Sequence, residues 1–75
     1  MMKHLRISGM TGAYSADTIK NSLEMVSEVD SAYVSHEKNS AEVNFSGLEP
    51  SDDSLVNAVK DAGYTAEVIK EERKK

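Results

Sequence analysis

Residues 3–28 read KHLRISGMTGAYSADTIKNSLEMVSE, and within them the apolar period changes once. Over Lys3–Ser8 the period is two. Leu5 and Ile7 alternate with His4, Arg6 and Ser8, the pattern of a half-buried strand. From Ser15 to Glu28 the period becomes helical, with Ile19, Leu23 and Val26 at i, i+4 and i+7, and Ala16 extending the stripe. Gly9 to Tyr14, with two glycines, reads as the loop between them. Ser15 has the chemistry of an N-cap, and Asp17 falls in the first turn, where the helix dipole favours a negative charge.

The rest of the chain repeats this scheme. Ala32, Val34 and His36 alternate with Tyr33 and Ser35, which predicts a second strand. Glu37-Lys38-Asn39-Ser40 is a polar turn, and Ala41, Val43 and Phe45 alternate with Glu42 and Asn44 in a third strand. After a loop with Gly47 and Pro50, Ser51-Asp52-Asp53 opens a second helix as cap and acidic first turn. Leu55, Val59 and Ala62 form its stripe, and Gly63 is placed to stop it. Thr65–Ile69 predicts a short last strand, and Lys70–Lys75 a frayed, charged tail.

Strand, helix, strand, strand, helix, strand is the order of two βαβ halves. It predicts an α+β, ferredoxin-like βαββαβ sandwich over residues 1–69, followed by the tail at 70–75. The expected sheet is four-stranded and antiparallel, in the order 4-1-3-2, with both helices on one face. The expected core is Leu5, Ile7, Ile19, Leu23, Val26, Val34, Val43, Leu55, Val59 and Val68. The end of the first strand, the start of the first helix and the start of the last strand should share one tip. The opposite tip should hold the start of the first strand and the end of the second.

Composition narrows the function. The chain has 13 Asp+Glu against 9 Lys+Arg, a net charge of −4. Lys70–Lys75 hold four of the positive and two of the negative charges, which leaves −6 on residues 1–69. An acidic body does not suit the phosphate backbone of nucleic acid. There is no cysteine, hence no disulfide, no thiolate metal site and no cysteine nucleophile. The longest apolar run, Ala32-Tyr33-Val34, is far too short to span a bilayer, and no apolar stretch follows Met1-Met2-Lys3. A cytoplasmic monomer is expected.

Lys3-His4-Leu5-Arg6-Ile7-Ser8-Gly9-Met10-Thr11 resembles the opening of the heavy-metal-associated domain family: small copper chaperones and N-terminal modules of metal-exporting P-type ATPases. Glu28–Val34 resembles that family's second strand, and Asp61–Ile69 its closing segment. The resemblance implies a soft metal, Cu(I) above all, held by Cys-x-x-Cys after Gly-Met-Thr. Here the register gives Gly9-Met10-Thr11-Gly12-Ala13-Tyr14-Ser15, so Gly12 and Ser15 stand in the two cysteine positions. Cu(I) prefers thiolate sulfur; glycine offers no ligand, and a serine hydroxyl is hard and scarcely ionised. No metal ligand and no cofactor are expected at this loop.

The other donors are Met10, His4 and His36. Met10 has a thioether, but the resemblance implies that it packs beneath the loop as core. Alternation puts His4 on the polar face and His36 on the apolar face with Val34, which separates them. Met25 falls one residue off its helix's stripe and reads as a partly exposed flank. The resemblance places Tyr64 near the metal loop, either shielding it or simply packing there. Tyr14, at the loop tip, is either a contact residue beside Met10 and Ala13 or a solvated one.

The expected function is that of a degenerate family member with lost or very weak metal binding. Its remaining work would be docking, through Met10, Thr11, Gly12, Ala13, Tyr14, Ser15 and Tyr64, to a metal-transporting P-type ATPase or copper chaperone domain. Two alternatives stand beside it: an engineered or naturally altered metal-free copy of an active copper-trafficking domain, and a ferredoxin-like small-ligand sensor. An enzyme is not expected. The loop contains no basic residue, and Ser15 has no histidine beside it in this topology.

Overall fold

A computed structural model describes residues 1–69; the tail expected at 70–75 lies outside them. The elements are β1 (Met2–Ser8), α1 (Ala13–Glu24), β2 (Ser31–Ser35), β3 (Ser40–Asn44), α2 (Asp52–Asp61) and β4 (Thr65–Ile69). The strands form one sheet in the order β2-β3-β1-β4, every neighbouring pair antiparallel. α1 packs on β2, α2 on β4, and the helices touch each other. The predicted ferredoxin-like sandwich is therefore the observed architecture.

Alternation explains the core. Leu5 and Ile7 of β1, Ala41 and Val43 of β3, Ala32 of β2 and Ala66 of β4 turn to the helices, and meet Ile19 and Leu23 of α1 and Leu55, Ala58 and Val59 of α2. Val26, Val34 and Val68, expected inside, are half-buried. Val34 and Val68 lie on the two edge strands, where the helices cover less, and Val26 lies beyond the helix. Small residues fill in beneath: Ala58 and Ala66 are buried, as are Val29, Phe45 and Pro50.

Four expectations need correction. First, α1 starts at Ala13 rather than Ser15 and ends at Glu24 rather than Glu28. Gly12 is its N-cap, Ser15 lies inside the first turn, and no acidic residue falls in that turn. At the other end the chain tightens into i→i−3 bonds, Val26 N–H to Leu23 O and Val29 N–H to Val26 O, to reach β2. Second, Met25 is 84% exposed, not a half-covered flank. Third, His36 is an exposed turn residue, because the 36–39 turn begins one residue early and closes with Asn39 at φ 53, a left-handed position asparagine tolerates. Fourth, β1 and β2 are both antiparallel to β3 and so parallel to each other. The end of β2 and its hairpin thus lie at the Gly9 end of the sheet. His4 sits farther back on β1, opposite Glu42 and Ile69.

The far end is closed by a residue the periodicity treats as merely polar. Lys3 Nζ donates to Pro50 O at 2.9 Å and pairs with Asp52 Oδ1 at 2.7 Å and Glu49 Oε2 at 3.0 Å. The bond to Asp52, foremost, and the bond and charge of Glu49 hold the ammonium pKa above its ordinary value, against some burial. This ties β1 to the start of α2, which is otherwise capped by Ser51 Oγ accepting from Ser54 N–H at 3.1 Å.

Candidate functional site

The loop from Gly9 to Gly12 is shaped from both sides. Gly9 has φ +98, a conformation that side chains resist, and a Cβ there would stand 3.4 Å from the Tyr64 ring. Met10 packs half-buried against the core. Gly12 is extended backbone, open to any residue, and its carbonyl accepts from Ala16 N–H at 3.2 Å to start α1. Nothing lies within 4 Å of where a Cβ on Gly12 would be. Ala13 and Tyr14 point outward, with Tyr14 82% exposed.

Tyr64 arrives by way of the end of α2. Gly63, at φ +97, follows the C-cap Ala62; Gly63 N–H donates to Lys60 O at 2.9 Å and Tyr64 N–H to Val59 O at 3.1 Å. These two bonds are a Schellman motif, which only a residue at ease in the left-handed region completes well. The sequence signal for the stop thus also sets the direction in which Tyr64 leaves the helix.

The three parts meet at Ser15, which is 2% exposed. Its Oγ accepts from Thr11 N–H at 3.2 Å and from Tyr64 OH at 2.9 Å, and lies 3.1 Å from Thr11 Oγ1. A hydroxyl has two lone pairs and one proton. Both lone pairs are engaged, so the proton goes to Thr11 Oγ1. Ser15 is a saturated node joining loop, helix and β4 entry. Among the described residues no buried side-chain nitrogen or oxygen lacks a hydrogen-bond partner.

Tyr64→Phe is therefore expected to lower stability by about 1 kcal/mol, the usual net worth of one hydrogen bond. Ser15→Ala, which also strands the Thr11 amide, should cost about 1–3 kcal/mol. Urea denaturation of both variants beside wild type checks the ranking.

The site does not offer a soft-metal donor set. Position 12 has no side chain, position 15 has no free lone pair, and the Met10 side chain is committed to packing. Among the described residues no three His, Asp or Glu side chains are grouped to hold a metal ion. His4 on β1 and His36 in the turn after β2, at different heights of the sheet, are not brought together. Ser15, expected among partner-contacting residues, presents no surface of its own.

Residues 4–65 match the profile of the heavy-metal-associated domain. The chain belongs to the heavy-metal-associated domain family. Its solved likenesses agree. A copper-binding domain from HMA7, a P-type ATPase, is 28% identical, with 96% of this chain and 97% of that one covered and a TM-score of 0.86. Oxidized MerP from Ralstonia metallidurans CH34 is 30% identical over 93% and 97%, with a TM-score of 0.83. The apo copper chaperone of Enterococcus hirae is 25% identical over 89% and 98%, with a TM-score of 0.80. No curated protein matches. This heavy-metal-associated domain is thus related to copper chaperones, transporter modules and MerP, and it has no cysteine at all. Among the described residues no helix is long and apolar enough to cross a membrane.

Proposed function

We propose that this heavy-metal-associated domain has exchanged metal binding for docking. Ser15 carries the reading. In a thiolate site that position faces the metal; here its hydroxyl faces inward and is spent on Thr11 and Tyr64. The loop keeps its shape without a metal and presents Met10, Thr11, Gly12, Ala13, Tyr14 and the neighbouring Tyr64 to a partner, with Ser15 as the knot behind them. The partner kind is a copper chaperone or a metal-transporting P-type ATPase domain, the company its solved relatives keep. The role is non-catalytic, since Ser15, the one buried polar residue among the described residues, has no lone pair free and no base beside it. So small a patch suits weak, transient association below the size of a standard interface. The acidic body would steer a basic partner, so binding should weaken with salt.

Two measurements test this. In anaerobic, reducing competition with a Cu(I) chelator, wild type should take no copper; a tight stoichiometric complex would overturn the loss of metal binding. Chemical-shift mapping against such a partner domain should move the loop tip. Shifts centred on the far end, around Lys3, His4 and Asp52, or no shifts with any such partner, would overturn docking.

A further inference from the structure

β2 is an edge strand, bonded on one side to β3. The ladder fixes which of its backbone groups face outward. Met1 and Phe45 exchange both of their backbone bonds, and Ile7 N–H donates to Asn39 O, so the odd residues of β3 turn their backbone groups to β1. The even ones, Ser40, Glu42 and Asn44, bond instead to Ser35, Tyr33 and Ser31. The N–H and C=O of Ala32 and Val34 therefore point away from the sheet. A bare row of this kind invites another strand, and SAYVS carries neither charge nor proline to discourage it. What stands there is Glu24. This last residue of α1 reaches round the edge, and its Oε2 accepts from Ala32 N–H at 3.1 Å while Lys20 Nζ holds the same oxygen at 3.0 Å.

We infer that Glu24 guards this edge, and that the surface it closes fits β2 of a second copy of the chain, added antiparallel about Tyr33. A second copy fits because the residues whose backbone groups face outward, Ala32 and Val34, stand symmetrically about Tyr33, so the edge is complementary to itself. In that pairing Ala32 N–H meets the Val34 carbonyl of the second copy, Ala32 C=O meets its Val34 N–H, and the two-fold axis repeats both bonds. Tyr33, 63% exposed in the single chain, then faces its counterpart at the close, non-hydrogen-bonded position on the open side of the sheet. Ala32 and Val34 stay on the helix side and continue the core layer. The carboxylate prevents this twice: it occupies the Ala32 N–H, and it sets a negative charge against the incoming carbonyl. The Lys20 ammonium, first, and the Ala32 N–H hold the Glu24 pKa below the ordinary carboxylate value, so the guard is charged at neutral pH.

Sedimentation velocity over a range of concentrations reads the outcome. Wild type should remain monomeric. Glu24→Ala should raise the dimer association constant by about tenfold or more, the effect of one recovered hydrogen bond on each side of the axis. Adding Val34→Pro should return Glu24→Ala to monomer, because proline deletes an outward N–H and leaves the bonds to β3 intact. Hydrogen exchange on wild type is a second reading that needs no variant: the Ala32 amide should exchange more slowly than the Val34 amide. Equal exchange at the two positions, a folded but monomeric Glu24→Ala, or a dimer that Val34→Pro does not disperse would each overturn the inference.

Discussion

Gly12→Cys combined with Ser15→Cys is expected to turn a loop without thiols into one that draws about one Cu(I) per chain from a competing chelator, since paired thiolates are the ligands Cu(I) selects. The backbone already frames that site. Gly12 is extended, and a Cβ there meets nothing within 4 Å, so the first thiol enters without a clash. Position 15 lies three residues on, on the same face of the first turn of α1, and sulfur replaces oxygen at one atom. The helix N-terminus lowers both thiol pKa values, with no acidic residue in the first turn to oppose it. The cost is the hydrogen-bond node: Thr11 N–H and Tyr64 OH lose a strong acceptor, so the metal-free double variant should be less stable than wild type. Metal then restores what the node supplied, and Cu(I) should raise the variant's thermal midpoint while leaving wild type unchanged. Each single cysteine should bind far more weakly than the pair. A folded double variant that takes no copper would show that the loop itself has left the metal-binding conformation.

What the sequence could show followed the range of the interactions involved. The six elements, the sheet order and the shared helix face were legible, because each element's period is a local property of five to twelve residues. The capping of α1 was not. A serine beside a loop has the chemistry of an N-cap, and only the pull of Tyr64, 49 residues away, shows that this hydroxyl turns inward. Lys3 escaped for the same reason: its acceptors at Pro50 and Asp52 are 47 and 49 residues distant, and alternation cannot tell a solvated lysine from one that closes a core. The misplacement of His36 had another origin. Two strands antiparallel to a common third must be parallel, so the topology already implied that the β2–β3 hairpin shares the Gly9 end. The Gly12 and Ser15 substitutions were plain in the sequence, but what Ser15 does in place of a ligand is a tertiary fact.

Leu23→Ala should lower unfolding free energy by about 2–5 kcal/mol, the range for a buried leucine whose cavity closes only partly. Leu23 is fully buried one residue before the end of α1, and it shares its cluster with Ile19, Leu55 and Val59. A domain this small has roughly 4–11 kcal/mol in total, at the usual stability per residue, so one truncation removes a large share. Met25→Ala, two positions on, supplies the control: at 84% exposure it should change stability by no more than about 0.5 kcal/mol. The half-buried Val26 should fall between them. In urea the midpoint should fall for Leu23→Ala with the slope unchanged, because the surface exposed on unfolding stays nearly the same. A Leu23→Ala midpoint no lower than that of Met25→Ala would contradict the packing of α1 on the sheet. The loop is the informative bystander. Ser15 and Tyr64 lie at the opposite end of α1 from Leu23, and α1 and α2 both run between the two ends. If the cavity relaxes locally, the amide shifts of Thr11 and Tyr64 should stay at their wild-type values while global stability drops, and the loop from Gly9 to Gly12 should keep its shape in every molecule that remains folded.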